Sequence, residues 1–136
     1  MVAGAKKVAL MCIGLAVQKF AETITEQQEV LGHFADIAME TYALESAVLR
    51  ARKRAQAEGE EKASLVAAAV RCFAQDAMDR IEVSGRRLLA AVDEGDMLRT
   101  YLAALKRFTK RDTLDTIALR KQVALAVIEH GGYPLA

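Results

Sequence analysis

Between Thr25 and Ala57 nothing stops a helix. The stretch holds no proline, and Val30, Phe34, Ile37, Thr41, Leu44, Val48, Ala51 and Ala55 follow one another in steps of three and four. That spacing places them on one face of an α-helix roughly 50 Å long at about 1.5 Å per residue. A flanking row of Leu31, Ala35, Ala38, Tyr42 and Leu49 widens the stripe, so more than one neighbour is needed to cover it. The N-terminal side carries capping-box spacing, Thr25 with Gln28 or Thr23 with Glu26.

The pattern repeats after Gly59, a residue suited to the left-handed position that closes a helix. Val66, Val70, Phe73, Ala77, Ile81, Leu88 and Ala91 mark a third helix, and the second and third should form a long antiparallel hairpin. Ahead of them a first helix is apolar on nearly every side and requires cover. After the Asp93-Glu94-Gly95-Asp96 turn, a fourth helix capped by Asp96 carries Met97, Leu98, Tyr101, Leu102, Leu105 and Phe108. A fifth, starting near Asp112 or Thr113, carries Leu114, Ile117, Leu119, Val123, Leu125, Val127 and Ile128 and closes at Gly131-Gly132-Tyr133-Pro134; both are read as short and amphipathic. The expected fold is all-α: an antiparallel bundle of four to five helices at about 6–22, 25–57, 60–92, 96–108 and 113–130, forming a single helical domain over residues 1–136.

Composition supports this and excludes several classes. Ala accounts for 26 residues, and the other common residues are helix formers too. Hydrophobic residues make up 53% of the chain and the net charge is +1, so it can bury enough surface to escape disorder. The same charge balance gives no overall field toward nucleic acid, which is excluded as a partner. Cys12 and Cys72 have neither metal-ligand nor C-x-x-C spacing and read as reduced, buried thiols. The longest unbroken apolar run, Val8 to Val17, is too short for a hydrocarbon core that needs about 20 residues, so no transmembrane helix is expected. Lys6 and Lys7 imitate a signal-peptide charge region, but the sequence after Val17 is a poor cleavage site; a cytoplasmic chain is expected.

Tests for chemistry are mostly negative. The Glu-x-x-His pattern of a di-iron bundle fails at both histidines, since Val30 precedes His33 and Val127 precedes His130 by three residues. Glu29 and His33 are one isolated pair, and His130 suits the negative end of a helix dipole. No P-loop, G-x-G-x-x-G or G-x-S-x-G occurs, and Gly85, within the third helix, points to a close helix approach or a bend. Arg50, Arg52, Lys53 and Arg54 before Glu60 and Glu61 are explained by the helix dipoles. Lys106, Arg107, Lys110 and Arg111 around Phe108 are different, a candidate surface for an anionic head group or phosphate. Val8, Leu10, Met11, Ile13, Leu15 and Val17 of the first helix are the candidate interface residues.

Three stretches together resemble a known family: Lys7 to Phe20 (KVALMCIGLAVQKF), Glu26 to Ala51 (EQQEVLGHFADIAMETYALESAVLRA) and Gly131-Gly132-Tyr133-Pro134-Leu135. They resemble the helical C-terminal extension of acyl-CoA dehydrogenases of the very-long-chain type, with Ala43-Leu44-Glu45-Ser46-Ala47-Val48-Leu49-Arg50 as the most specific part. The resemblance implies that FAD, acyl-CoA and the catalytic glutamate belong to preceding domains, so this chain has no catalytic, cofactor or metal residues of its own. It implies a non-catalytic module for subunit assembly, for membrane association, or for both. The partners would be the catalytic domain or a second subunit, with an anionic membrane surface at the basic cluster and the chain peripheral to that membrane; a homo-oligomer is expected. Two alternatives stay open. One is a free-standing helical adaptor; the other is a bundle that binds an acyl chain or CoA ester along Met11, Met39, Met78 and Met97.

Overall fold

The computed structural model describes residues 1–134. It contains five α-helices: α1 Val2–Phe20, α2 Gln28–Glu58, α3 Ser64–Val92, α4 Gly95–Thr109 and α5 Thr116–His130. A 3-10 turn, Ala21–Glu26, joins α1 to α2, and no strand occurs among the described residues. Leu135 of the closing motif lies outside them. Within the chain the helices group into two compact units. Unit 1 takes Met1–Tyr42 and Ala77–Arg111, and unit 2 takes Ala43–Asp76 and the chain from Asp112 onward.

The core of unit 1 forms where small residues let helices approach. Helix α1 buries Ala5, Val8, Cys12 and Ala16, spaced three, four and four residues apart. The other large side chains buried in unit 1 are Ile37 of α2, Met78, Ile81, Leu88 and Leu89 of α3, and Leu105 of α4, all fully buried or nearly so. Two glycines set the spacing. A Cβ on Gly4 would sit far inside contact distance of the Phe108 carbonyl oxygen, which only the absent side chain permits. A Cβ on Gly85 would lie 3.1 Å from Leu105 Cδ1 and 3.4 Å from Val8 Cγ1, so close approach, not a bend, is the reason for that glycine. Buried Thr41 and Thr109 donate to the carbonyls of Ile37 and Leu105 at 2.7 and 3.0 Å, which satisfies both hydroxyls inside the core. Of the expected stripes, Val30, Ile37, Thr41 and Leu44 of α2 and Ala77, Ile81 and Leu88 of α3 are buried and most of the rest half-buried, whereas Ala91 is exposed with Leu89 and Val92 buried in its place, and the flanking row of α2 does not widen the buried face, since Ala35, Tyr42 and Leu49 are exposed.

In unit 2, residues 59–63 turn the chain back. Gly59 takes φ 90°, as a glycine closing a helix can, and its N–H donates to the Ala55 carbonyl at 3.0 Å. Among its described residues Leu44, Ala63, Ala68, Cys72, Ala74 and Gln75 are buried. Gln75 Nε2 donates to the Asp112 carbonyl at 2.8 Å and holds down the extended chain that leads to α5.

Several boundaries differ from the sequence reading, each for a local reason. Helix α1 begins at Val2 and ends at Phe20. Thr23 donates to the Phe20 carbonyl at 2.7 Å, so it closes α1 and neither threonine forms the expected capping box of α2. Helix α3 starts at Ser64, not near 60, because Glu60 to Ala63 are spent on the turn. The N-cap position of α4 is Glu94, and Asp96 instead pairs with Arg99 at 2.7 Å within the first turn. Helix α5 starts at Thr116, since Asp115, not Asp112 or Thr113, accepts the Ala118 N–H at 2.9 Å.

The glycines give opposed expectations. Gly4→Ala should cost about 1–3 kcal/mol, since the added methyl meets backbone that cannot yield. Gly14→Ala, with nothing within 4 Å of the new methyl, should gain up to about 1 kcal/mol from helix propensity. Urea denaturation of the two variants measures both signs.

Candidate functional site: the end of α4 and the faces of α1 and α5

The four basic residues of the candidate anionic-surface patch separate in the structure. Lys106 and Arg107 lie exposed in the last turn of α4, where cations complement the negative end of the helix dipole, and Lys110 follows exposed at the C-cap. Arg111 turns inward. It donates to the Thr109 carbonyl at 2.9 Å, is hydrogen-bonded to Asp79, and faces Glu82 at 3.9 Å with its side chain 15% exposed. It therefore ties the end of α4 to α3 and is not a surface cation. A residue the sequence reading missed takes a place beside the patch: Lys7 of α1, whose Nζ lies 5.7 Å from the centroid of the Phe108 ring. The contact follows from Gly4, which brings the first turns of α1 against the Phe108 backbone.

The candidate interface helix is also divided. Val8 is fully buried beside Gly85, so its side chain is a core contact and no partner can reach it. Met11, Ile13 and Leu15 are half-buried, while Leu10 and Val17 face outward. The stretch Val2–Glu26, which holds an 18-residue window of mean hydropathy 1.4, is long and apolar enough by length and composition to cross a membrane. The expectation of no such helix counted only the unbroken run and ignored how far α1 extends on both sides of it. Core helices of soluble proteins meet the same criterion, and here Ala5, Val8, Cys12 and Ala16 are packed inside unit 1.

Reactive groups are quiet. Burial pushes the Cys12 thiol up to about 12, which keeps it protonated at neutral pH. Cys72 is buried and donates to the Thr116 carbonyl at 3.8 Å. No group of three or more His, Cys, Asp or Glu among the described residues is placed to hold a metal ion. His130 ends α5 ahead of Gly131, which takes the left-handed φ of 68°. Met11, Met39, Met78 and Met97 do not line one channel for an acyl chain: Met78 lies in the core, whereas Met39 and Met97 are exposed.

The least covered element is α5. It was expected to be amphipathic, yet it buries none of its residues, and Ile117 and Ile128 are 79% and 74% exposed. Apolar residues and the exposed Arg120, Lys121, Gln122 and Glu129 are intermixed round it, so no separate polar face is turned toward water, and only Thr116, Leu119, Val123 and Ala126 are half-covered. One side is fixed: Arg120 holds Asp76 of α3 through two contacts of 2.6 and 2.7 Å, which raises the guanidinium further above its ordinary range.

Substitutions separate the patch from the tie. Arg111→Ala should destabilise the chain by about 1–3 kcal/mol, because Asp79 and the Thr109 carbonyl lose a charged donor. Arg111→Lys should recover only part of this, since one ammonium cannot reproduce the guanidinium fork. Lys110→Ala should stay within about 0.5 kcal/mol. Chemical denaturation distinguishes the three.

Comparison with known proteins gives this geometry a context. The profile of the family described as acyl-CoA dehydrogenase, C-terminal domain, matches residues 4–107. A probable acyl-CoA dehydrogenase of Bacillus subtilis (strain 168) is 40% identical over 129 residues, 95% of this chain and 22% of that relative. The crystal structure of an acyl-CoA dehydrogenase from Bacillus anthracis, complexed with FAD, matches with a TM-score of 0.95 and 38% identity over 97% of this chain. The chain spans 22% of the length of each relative. With the profile matched over most of its length and the helices superposing on a solved relative, the chain belongs to the acyl-CoA dehydrogenase C-terminal domain family.

Proposed function

We propose that this chain is the non-catalytic helical domain of an FAD-dependent acyl-CoA dehydrogenase of the very-long-chain type. Its role is assembly: α5 docks on the remaining part of the enzyme. The observation that carries the reading is α5 itself, without a buried residue and with Ile117, Leu125, Val127 and Ile128 exposed, in a chain whose relatives are more than four times longer. Removing an exposed isoleucine from water gains on the order of 1.5–3 kcal/mol, so Ile117 and Ile128 alone offer a useful docking energy.

The described residues do not fit an FAD site by themselves. Every buried side-chain nitrogen and oxygen among them already has a partner, so none is left to meet a flavin ring or a pyrophosphate. Three grooves among the described residues, of about 440, 320 and 300 Å³, are open clefts, and the first is bounded by the Arg80–Glu40 ion pair. Flavin chemistry is accordingly assigned to the rest of the enzyme, and no step is routed through this chain.

The isolated chain should be colourless and should not oxidise palmitoyl-CoA. Placed in the Bacillus subtilis relative in exchange for its matching segment, it should give a yellow, active enzyme. Ile117→Glu combined with Ile128→Glu should leave the isolated chain within about 0.5 kcal/mol of its stability, both side chains being in water already. In the chimera the same pair should lower Tm and activity together. Flavin absorbance in the isolated chain, or a chimera indifferent to the two glutamates, would overturn the reading.

A further inference from the structure

In unit 2 an open cleft of about 300 Å³ lies between α3 and α5, lined by Ala69, Cys72, Arg120, Val123 and Ala124. Its lining is small and apolar apart from two groups, and both are committed. The Cys72 thiol donates to the Thr116 carbonyl, and the Arg120 guanidinium donates to both carboxylate oxygens of Asp76 and to Thr116 Oγ1 at 3.0 Å. Waters in such a cleft find few partners, so an apolar group that displaces them gains affinity. The cleft also continues a line on α5. Ile117, Ala124 and Ile128 are seven and four residues apart, which puts them on one side of the helix, all exposed, with Arg120 and Lys121 flanking them. A small residue between two large apolar ones, at the edge of an open cleft, makes a hole into which a bulky side chain of a facing helix fits.

We infer that this cleft receives one bulky apolar side chain from a helix in the remaining part of the same enzyme. The inference rests on the assembly reading proposed above and gives it a point of contact. Length and chemistry decide the occupant. The relatives extend over more than four times the length of this chain, so most of the polypeptide that could cover α5 lies outside it. A charged side chain would meet no counter-charge inside the cleft, since Arg120 is already paired with Asp76, and would lose its hydration there. An aliphatic or aromatic side chain leaves each of these polar contacts intact while it fills the space, and its helix can then lie along Ile117 and Ile128.

Thiol protection tests it, in the isolated chain and in the chimera with the Bacillus subtilis relative. Cys72, 8% exposed, should be alkylated by N-ethylmaleimide in the folded isolated chain at a rate that does not change with protein concentration. Cys12, fully buried, should react only on global opening, and peptide masses tell the two thiols apart. In the chimera without substrate Cys72 should react at least about tenfold more slowly than in the isolated chain. Ala124→Trp, which fills the cleft from an exposed position of α5, should leave the urea midpoint of the isolated chain unchanged and lower the Tm of the chimera. Equal Cys72 rates in chain and chimera would overturn the inference, as would a Cys72 no more reactive than Cys12 in the isolated chain. Protection that appears as the isolated chain is concentrated would put a second copy in the cleft, and protection that requires palmitoyl-CoA would put an acyl chain there; either result overturns it too. If Ile117→Glu with Ile128→Glu lowers the Tm of the chimera while Ala124→Trp does not, α5 docks with the cleft open, so the inference fails and the assembly reading stands. A chimera indifferent to both sets of substitutions sinks the two together.

Discussion

Unit 1 depends on the contact between Gly4 and the Phe108 carbonyl. It brings α1 to backbone distance from the end of α4, and the small stripe of Ala5, Val8, Cys12 and Ala16 continues the close approach along the helix. Once that face is committed inward, the bulkier residues of α1 have only the flanks and the outside, which is why Leu10 and Val17 face water. The same contact delivers Lys7 to the Phe108 ring and supports the turn at which Arg111 leaves α4 and reaches Asp79. Small side chains therefore position the large and charged ones. A helix propensity cost of about 1 kcal/mol at each glycine is offset by the packing it permits.

Unit 2 lacks such a device at α5. Its fixed points are polar and lie around the start of the helix: Gln75 on the Asp112 carbonyl, Asp115 on the Ala118 N–H, and Arg120 on Asp76. These orient the helix without covering it. Exposed ion pairs of this kind contribute about 0–1 kcal/mol each, which is small beside the apolar surface that α5 leaves in water. The helix is thus held by polar contacts near its start, half-covers Leu119, Val123 and Ala126, and leaves Ile117, Leu125 and Ile128 open.

The periodic parts of the fold were legible because periodicity reports burial directly. The stripe on α2, with Val30, Ile37, Thr41 and Leu44, is the buried face, and the role of Gly59 followed from its place between two periodic runs. What the sequence concealed was set by contacts between residues far apart along the chain. Nothing local distinguishes Thr23, which closes α1, from a helix N-cap, and the 3-10 turn that decides between them depends on where α1 stops. Arg111 looked like its three basic neighbours because its partners, Asp79 and Glu82, lie some thirty residues earlier, on another helix. Gly4 sits in an unremarkable Ala-Gly-Ala context, and its importance exists only once Phe108 is opposite. The extension family itself was readable from the first and second helices, whereas the cover of α5 was not, since apolar residues intermixed round a helix do not say which neighbour supplies it.

The exposed apolar residues of α5 would gain mainly from buried area on contact and carry little charge selectivity. A surface of that kind suits a neighbour that is always present, because leaving it uncovered carries a standing cost in exposed hydrocarbon. A neighbour in the same polypeptide is present at high effective concentration and needs no charge code to find its site. The polar contacts at the start of α5 and the open isoleucines along it therefore divide the work by residue type: Arg120 and Asp115 fix direction, and Ile117 and Ile128 hold the uncovered area.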